Sequence, residues 1–79
     1  MTEAARLNRI RGELQAQSEQ GMLGVVAGYS HVAEWIVRDW CDKPENIPTQ
    51  DEVAAIELAL TRIEHARILT AADHQTPLF

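Results

Sequence analysis

MLGVVAGYSHVAEWIVRDWC, residues 22–41, is the most apolar stretch of the chain, and its reading decides the fold. At about 100° per residue, Val25, Tyr29, Val32, Ala33, Ile36 and Trp40 fall on one broad face, with Ser30, Glu34 and Arg38 opposite. That periodicity predicts one amphipathic helix over residues 22–41 as the central element of the domain. Its start is the weak point. Gly21, Gly24 and Gly28 each disfavour a helix by about 1 kcal/mol relative to Ala.

On the C-terminal side, residues 42–48 read as a loop, because Pro44 and Pro48 remove backbone donors and push the residues before them toward extended conformations. Thr49-Gln50-Asp51-Glu52 then fits a capping box, in which the Thr hydroxyl and the Glu carboxylate each satisfy an orphan N–H. Asp51 and Glu52 also suit the positive end of a helix dipole. Val53, Ile56, Ala59, Leu60, Ile63 and Ala66 continue as one face, which predicts a helix to about residue 72. Residues 73–79 are expected to be an irregular tail ending in Leu78-Phe79. On the N-terminal side, Thr2 is placed to cap a helix over residues 3–20, whose stripe is Leu7, Ile10 and Leu14. Residues 15–20 are polar and are expected to fray before Gly21. The fold class that results is all-α: one domain, 1–79, built as a compact bundle of three main helices with an irregular C-terminal tail.

A chain of 79 residues hides only about 60% of the surface its unfolded form exposes, so its core is thin unless something supplements it. The single cysteine, Cys41, makes no internal disulfide, and no Cys/His cluster has zinc spacing. Self-association or a protein partner is therefore the expected help. A free thiol suits a reducing cytoplasm, and the sequence has neither a membrane-length apolar run nor a signal-peptide layout. The net charge of −5 is uneven. Residues 1–11 carry Arg6, Arg9 and Arg11 against Glu3 (3 − 1 = +2), while residues 12–79 carry 4 bases against 11 acids (4 − 11 = −7). An acidic body is a poor footprint for phosphates, which disfavours direct nucleic-acid binding.

Three groups of residues stand out as partner-binding candidates. Gly21, Gly24 and Gly28 share a strip that Trp35 continues at the border of the main apolar face; glycines let another chain approach, and a neighbouring Trp anchors it. Trp35, with Gly28 and His31, is the first choice for an interface. Leu58, Ile68 and Leu69 form an off-core strip on the last helix, which the first helix, the tail or a second copy in a homodimer would cover. The acids around the loop, Asp39, Asp42 and Glu45 with Asp51, Glu52 and Glu57, have only Lys43 among them and would meet a basic or nucleic-acid-handling surface on a protein partner. Solubility and helix capping account for Asp51 and Glu52 without any partner.

Catalysis has no constellation here. Cys41 lacks a local base and orienting group, His31 with Glu34 is a two-ligand pair short of a metal site, and His65 and His74 stand alone. No catalytic residue, cofactor or metal is expected.

Residues 27–36, Ala-Gly-Tyr-Ser-His-Val-Ala-Glu-Trp-Ile, resemble the turn of a helix-turn-helix, where a small residue, a glycine, an apolar residue and a serine lead into a recognition helix. Val32 and Trp35 come about two residues early after Gly28, and the would-be reading helix carries Glu34 and Asp39 against Arg38 alone. A DNA-binding regulator of that kind implies that Arg6, Arg9, Arg11 and Arg38 converge on one face. In size, acidity and helical character, though by no motif, the chain also resembles the small phage-type inhibitors of bacterial defence, anti-CRISPR proteins among them. That resemblance implies a non-enzymatic, cofactor-free module that blocks a larger host complex stoichiometrically.

Overall fold

The computed structural model describes the backbone of residues 2–75 and the side chains of residues 2–67. Among the described residues four helices follow one another: α1 (Glu3–Glu19), α2 (Leu23–Ser30), α3 (Glu34–Asp42) and α4 (Gln50–Gln75). The all-α expectation holds, with four helices in place of three.

The difference lies in residues 22–41, which form two helices and not one. His31 sits in the left-handed region, φ 59° and ψ 24°, and residues 31–33 turn the chain between α2 and α3. Ser30 makes the break chemically cheap. Its hydroxyl donates to the Ala27 carbonyl (3.2 Å) and accepts from the Val32 N–H (3.3 Å), giving backbone groups a partner that a continuing helix would otherwise supply. Val32 then turns inward and is buried. Helix propensity around the break is poor, with Gly24, Gly28 and β-branched Val25, Val26 and Val32.

Because each half sets its own rotation, the expected common face is also revised. Val32 and Trp40 are buried, as the periodicity required, but Val25 and Tyr29 face outward, Ala33 is exposed and Ile36 is half-buried. Leu23, Val26, Ala27, Val37 and Cys41 supply the interior instead, and Ser30, expected outside, is buried.

The flanking helices follow their patterns more closely. The Thr2 hydroxyl accepts from the Ala5 N–H at 3.1 Å, and Ile10 and Leu14 are fully buried with Leu7 half-buried beside them. The polar end of α1 stays helical, with Gln17 buried, and Gly21 (φ 71°) closes the connection to α2 in the left-handed conformation glycine allows. The capping box of α4 is reciprocal: the Thr49 N–H donates to Glu52 Oε1 at 3.0 Å and the Glu52 N–H donates to Thr49 Oγ1 at 3.2 Å. Val53, Ile56, Ala59, Leu60 and Ile63 are buried, whereas Ala66 is exposed. Helix α4 runs through residue 75, three residues into the expected irregular tail; Leu78 and Phe79 lie outside the described residues.

The core is one contiguous cluster to which all four helices contribute, with Trp40 as its largest fully buried side chain. Helix α2 packs chiefly on α4 and α3. Helices α1 and α4 run in the same direction, from the Arg6–Glu57 pair near one end to a cleft lined by Gln20 and Arg67 at the other.

Candidate functional site

The arginines of α1 are occupied by the fold. Arg6 and Arg9 converge on a single carboxylate across the helix interface, Arg6 Nη2 to Glu57 Oε1 at 2.8 Å and Arg9 Nη2 to Glu57 Oε2 at 2.6 Å. Both guanidiniums donate charge-assisted hydrogen bonds, which hold the Glu57 carboxyl below its ordinary range and raise the Arg6 guanidinium above its own. Arg11 reaches the other way, donating to the Trp40 carbonyl from Nε (2.9 Å) and to the Cys41 carbonyl from Nη2 (2.8 Å). A cation there satisfies two orphan carbonyls at the negative end of α3. Arg38 pairs with Glu34 one turn back, at 3.4 Å. The four arginines therefore point to three places, not to one face.

What the fold leaves outward is the α2–α3 surface. Helix α3 is divided sharply: Trp40 is 1% exposed and Val37 is fully buried, while Trp35 is 70% exposed. Trp35, Arg38, Asp39 and Asp42 follow one another at helical spacing along the outer side. The loop is held against this stripe because Asn46 Nδ2 donates to Asp39 Oδ2 at 2.8 Å, which brings exposed Glu45 into the same neighbourhood. Of the acids grouped by sequence, Asp39 and Asp42 lie one helical turn apart on α3, and Glu45 precedes the Asn46 that bonds Asp39. Glu57 is apart from them, as the anchor for α1.

The glycine strip resolves into parts. Gly21 belongs to the α1–α2 connection. Gly24 lies under the start of α3, where a Cβ would stand 2.8 Å from Glu34 Oε1. Gly28 forms a shallow hollow of about 320 Å³ with Val25 and Tyr29 on the outer side of α2. His31, at the turn, is exposed. Tyr29, 47% exposed, is a surface aromatic that the single-helix reading had assigned to the interior. Leu58 is exposed as its off-core position implied; the rest of that strip, Ile68 and Leu69, lies outside the described side chains.

Among the described residues no group of three or more His, Cys, Asp or Glu side chains could hold a metal ion, and no helix is long and apolar enough to cross a membrane. Cys41 is a buried free thiol. Comparison of the chain with family models, with curated proteins and with solved structures finds no match.

Proposed function

We propose that this chain is a non-enzymatic protein-binding module that acts by occupying a partner's surface with the outward face of α2 and α3. The carrying observation is Trp35, 70% exposed on a helix whose other side is locked by Val37 and Trp40. A large rigid aromatic held in this way is the residue type that dominates binding energy at protein interfaces. Asp39, Asp42 and Glu45 rim it and favour a basic surface on the partner, such as one that handles nucleic acid. Stoichiometric blockade of a host complex, in the manner of phage-type inhibitors of bacterial defence, is the form this activity takes.

The test is affinity capture from a bacterial lysate with the parent chain, Trp35→Ala and a charge reversal at Asp42 and Glu45, each first checked for unchanged helicity. Trp35→Ala is expected to weaken capture of a specific protein by tenfold or more, about 1.4 kcal/mol. Equal capture by all three chains removes this face from consideration.

A second reading has its own observation. Two short helices, α2 and α3, are joined by residues 31–33 with a left-handed residue in the connection, which is the element order of a helix-turn-helix. The left-handed position falls at His31, three residues beyond Gly28, so counted from the turn itself Val32 and Trp35 come earlier still. A DNA reader would present the N-terminal part of α3 to base edges, here Glu34, Trp35 and Arg38. Its phosphate partners are few, since Arg6, Arg9 and Arg11 are engaged elsewhere. Retardation of duplex DNA that weakens with salt and is lost in Arg38→Ala would favour this reading over the first.

A further inference from the structure

Helix α4 is the longest element of the fold and is covered on one side. Among the described residues α1 and α2 pack on it and α3 does not. Its inward face is Val53, Ile56, Ala59, Leu60 and Ile63, and Glu57 on its flank is held by α1. At about 100° per residue the opposite face carries Asp51, Ala54, Leu58, Arg62 and His65. All five are exposed, Leu58 by 51%, and His65 stands where this face meets the α1–α4 cleft.

The charges of this face are ordered about its one large apolar side chain. Asp51 lies seven residues before Leu58 and His65 seven after; Ala54 lies four before and Arg62 four after. Arg62 is the one described arginine whose side chain makes neither an ion pair nor a hydrogen bond, and the side chains of Asp51 and His65 likewise have no partner among the described residues. An acid at one end, a leucine in the middle and bases at the other end form a surface complementary to itself when turned end for end. About a two-fold axis through Leu58, each Asp51 meets the partner's His65, with the partner's Arg62 one turn along. Each Ala54 leaves room for the partner's Arg62 stem. A parallel pair would set Asp51 on Asp51 and Arg62 on Arg62, which like charges oppose.

We infer that the outer face of α4 is a self-association surface, on which a second copy of this chain docks as an antiparallel helix pair with Leu58 against Leu58. The contact spans roughly 21 Å of helix between Asp51 and His65. That is the small end of specific interfaces, so the dimer is weak and depends on protein concentration. It uses no residue of the α2–α3 face and stands or falls independently of the role proposed for Trp35.

The test is sedimentation equilibrium of the full chain from micromolar to millimolar concentration. The weight-average mass is expected to climb from 8.9 kDa toward twice that value. Leu58→Lys, an exposed change that sets two cations together at the axis, should weaken association by about tenfold or more and leave the thermal midpoint of the dilute protein unaltered. Exchange of charge reads the register. Asp51→Lys and Arg62→Glu each bring like charges together in their own pairs and should stay monomeric alone, whereas an equimolar mixture of the two should associate, because the mixed pair restores acid against base at both ends. A mass that stays at 8.9 kDa up to millimolar concentration would overturn the inference. So would association unmoved by Leu58→Lys, or charge variants that remain apart on mixing. A dimer lost in Trp35→Ala and kept in Leu58→Lys would place the contact on α3 and overturn it equally.

Discussion

Replacing His31 by glycine decides whether residues 22–41 are one helix or two, because the two arrangements give opposite signs. In the left-handed conformation an L-residue carries roughly 1–2 kcal/mol of steric cost between Cβ and the following carbonyl. His31 bears it at φ 59° and ψ 24° with its side chain exposed, so little packing is lost on substitution. Glycine removes the cost but adds about 0.4–1 kcal/mol of unfolded-chain entropy. The net expectation for His31→Gly is a gain of about 0.5–1 kcal/mol, or about 2–8 °C in the thermal midpoint of a chain this size. Within a continuous helix the same change would lose a few tenths of a kcal/mol, up to about 1. Urea titration followed by far-UV circular dichroism, with the slope m held equal between variants, measures the difference directly. His31→Val is the companion, and it should move the opposite way, since a β-branched residue tolerates that backbone least. Loss of stability in His31→Gly would refute the two-helix account and with it the outward placement of Tyr29 and Val25.

Two further outcomes follow from the arginines. Arg11→Met keeps the aliphatic stem and removes both hydrogen bonds to the end of α3, so the urea midpoint should fall by the equivalent of about 1–2 kcal/mol; an unchanged midpoint would show that water caps those carbonyls equally well. Hydrogen bonds from Arg6, then Arg9, hold the Glu57 carboxyl below its ordinary value of 4.5, so the folded state takes up its proton less readily than the unfolded chain. The stability this confers is complete above that ordinary value and drains away as pH falls through the lower folded value. In Glu57→Gln the midpoint should be lower at neutral pH and its decline through the acid range shallower, which a series of urea titrations across that range would read; parallel curves for the two proteins would mean Glu57 is not the linked group.

The sequence made the ends of this fold plain and its middle opaque. Thr2, Thr49 and Glu52 announce helix starts because capping chemistry is local, acting within three residues. The stripes of α1 and α4 are equally legible, each being a long run with an unbroken period. The break at His31 has no such signature. A left-handed residue is expected at glycine, and Gly28 drew attention three residues too early, while the residue that makes the turn is one whose type rarely marks it. A signal was present in the pattern: in a single helix Val26 and Val37 would share one face, while Val32 would lie roughly 120–140° away from both. For the surface, an exposed Trp35 and the neighbourhood of Asp39, Asp42 and Glu45 were within reach, since they share one helix and the loop that follows it. The partnerships of Glu57 and Arg11 were not. They join residues 48 or 51 and 29 or 30 positions apart, and nothing in a linear spacing distinguishes an acid that anchors a helix from one that faces water.

The segment between α3 and α4 has a practical meaning. Helix α3 is finished by the Lys43 N–H on the Asp39 carbonyl and by Arg11 on the Trp40 and Cys41 carbonyls, and α4 is begun by its own Thr49 and Glu52, so residues 44–48 cap neither helix. The chain is thus naturally divisible there into an N-terminal three-helix piece and a single long helix carrying Val53, Ile56, Ala59, Leu60 and Ile63. Such halves have the makings of a split reporter, silent apart and restored when an attached pair of proteins brings them together.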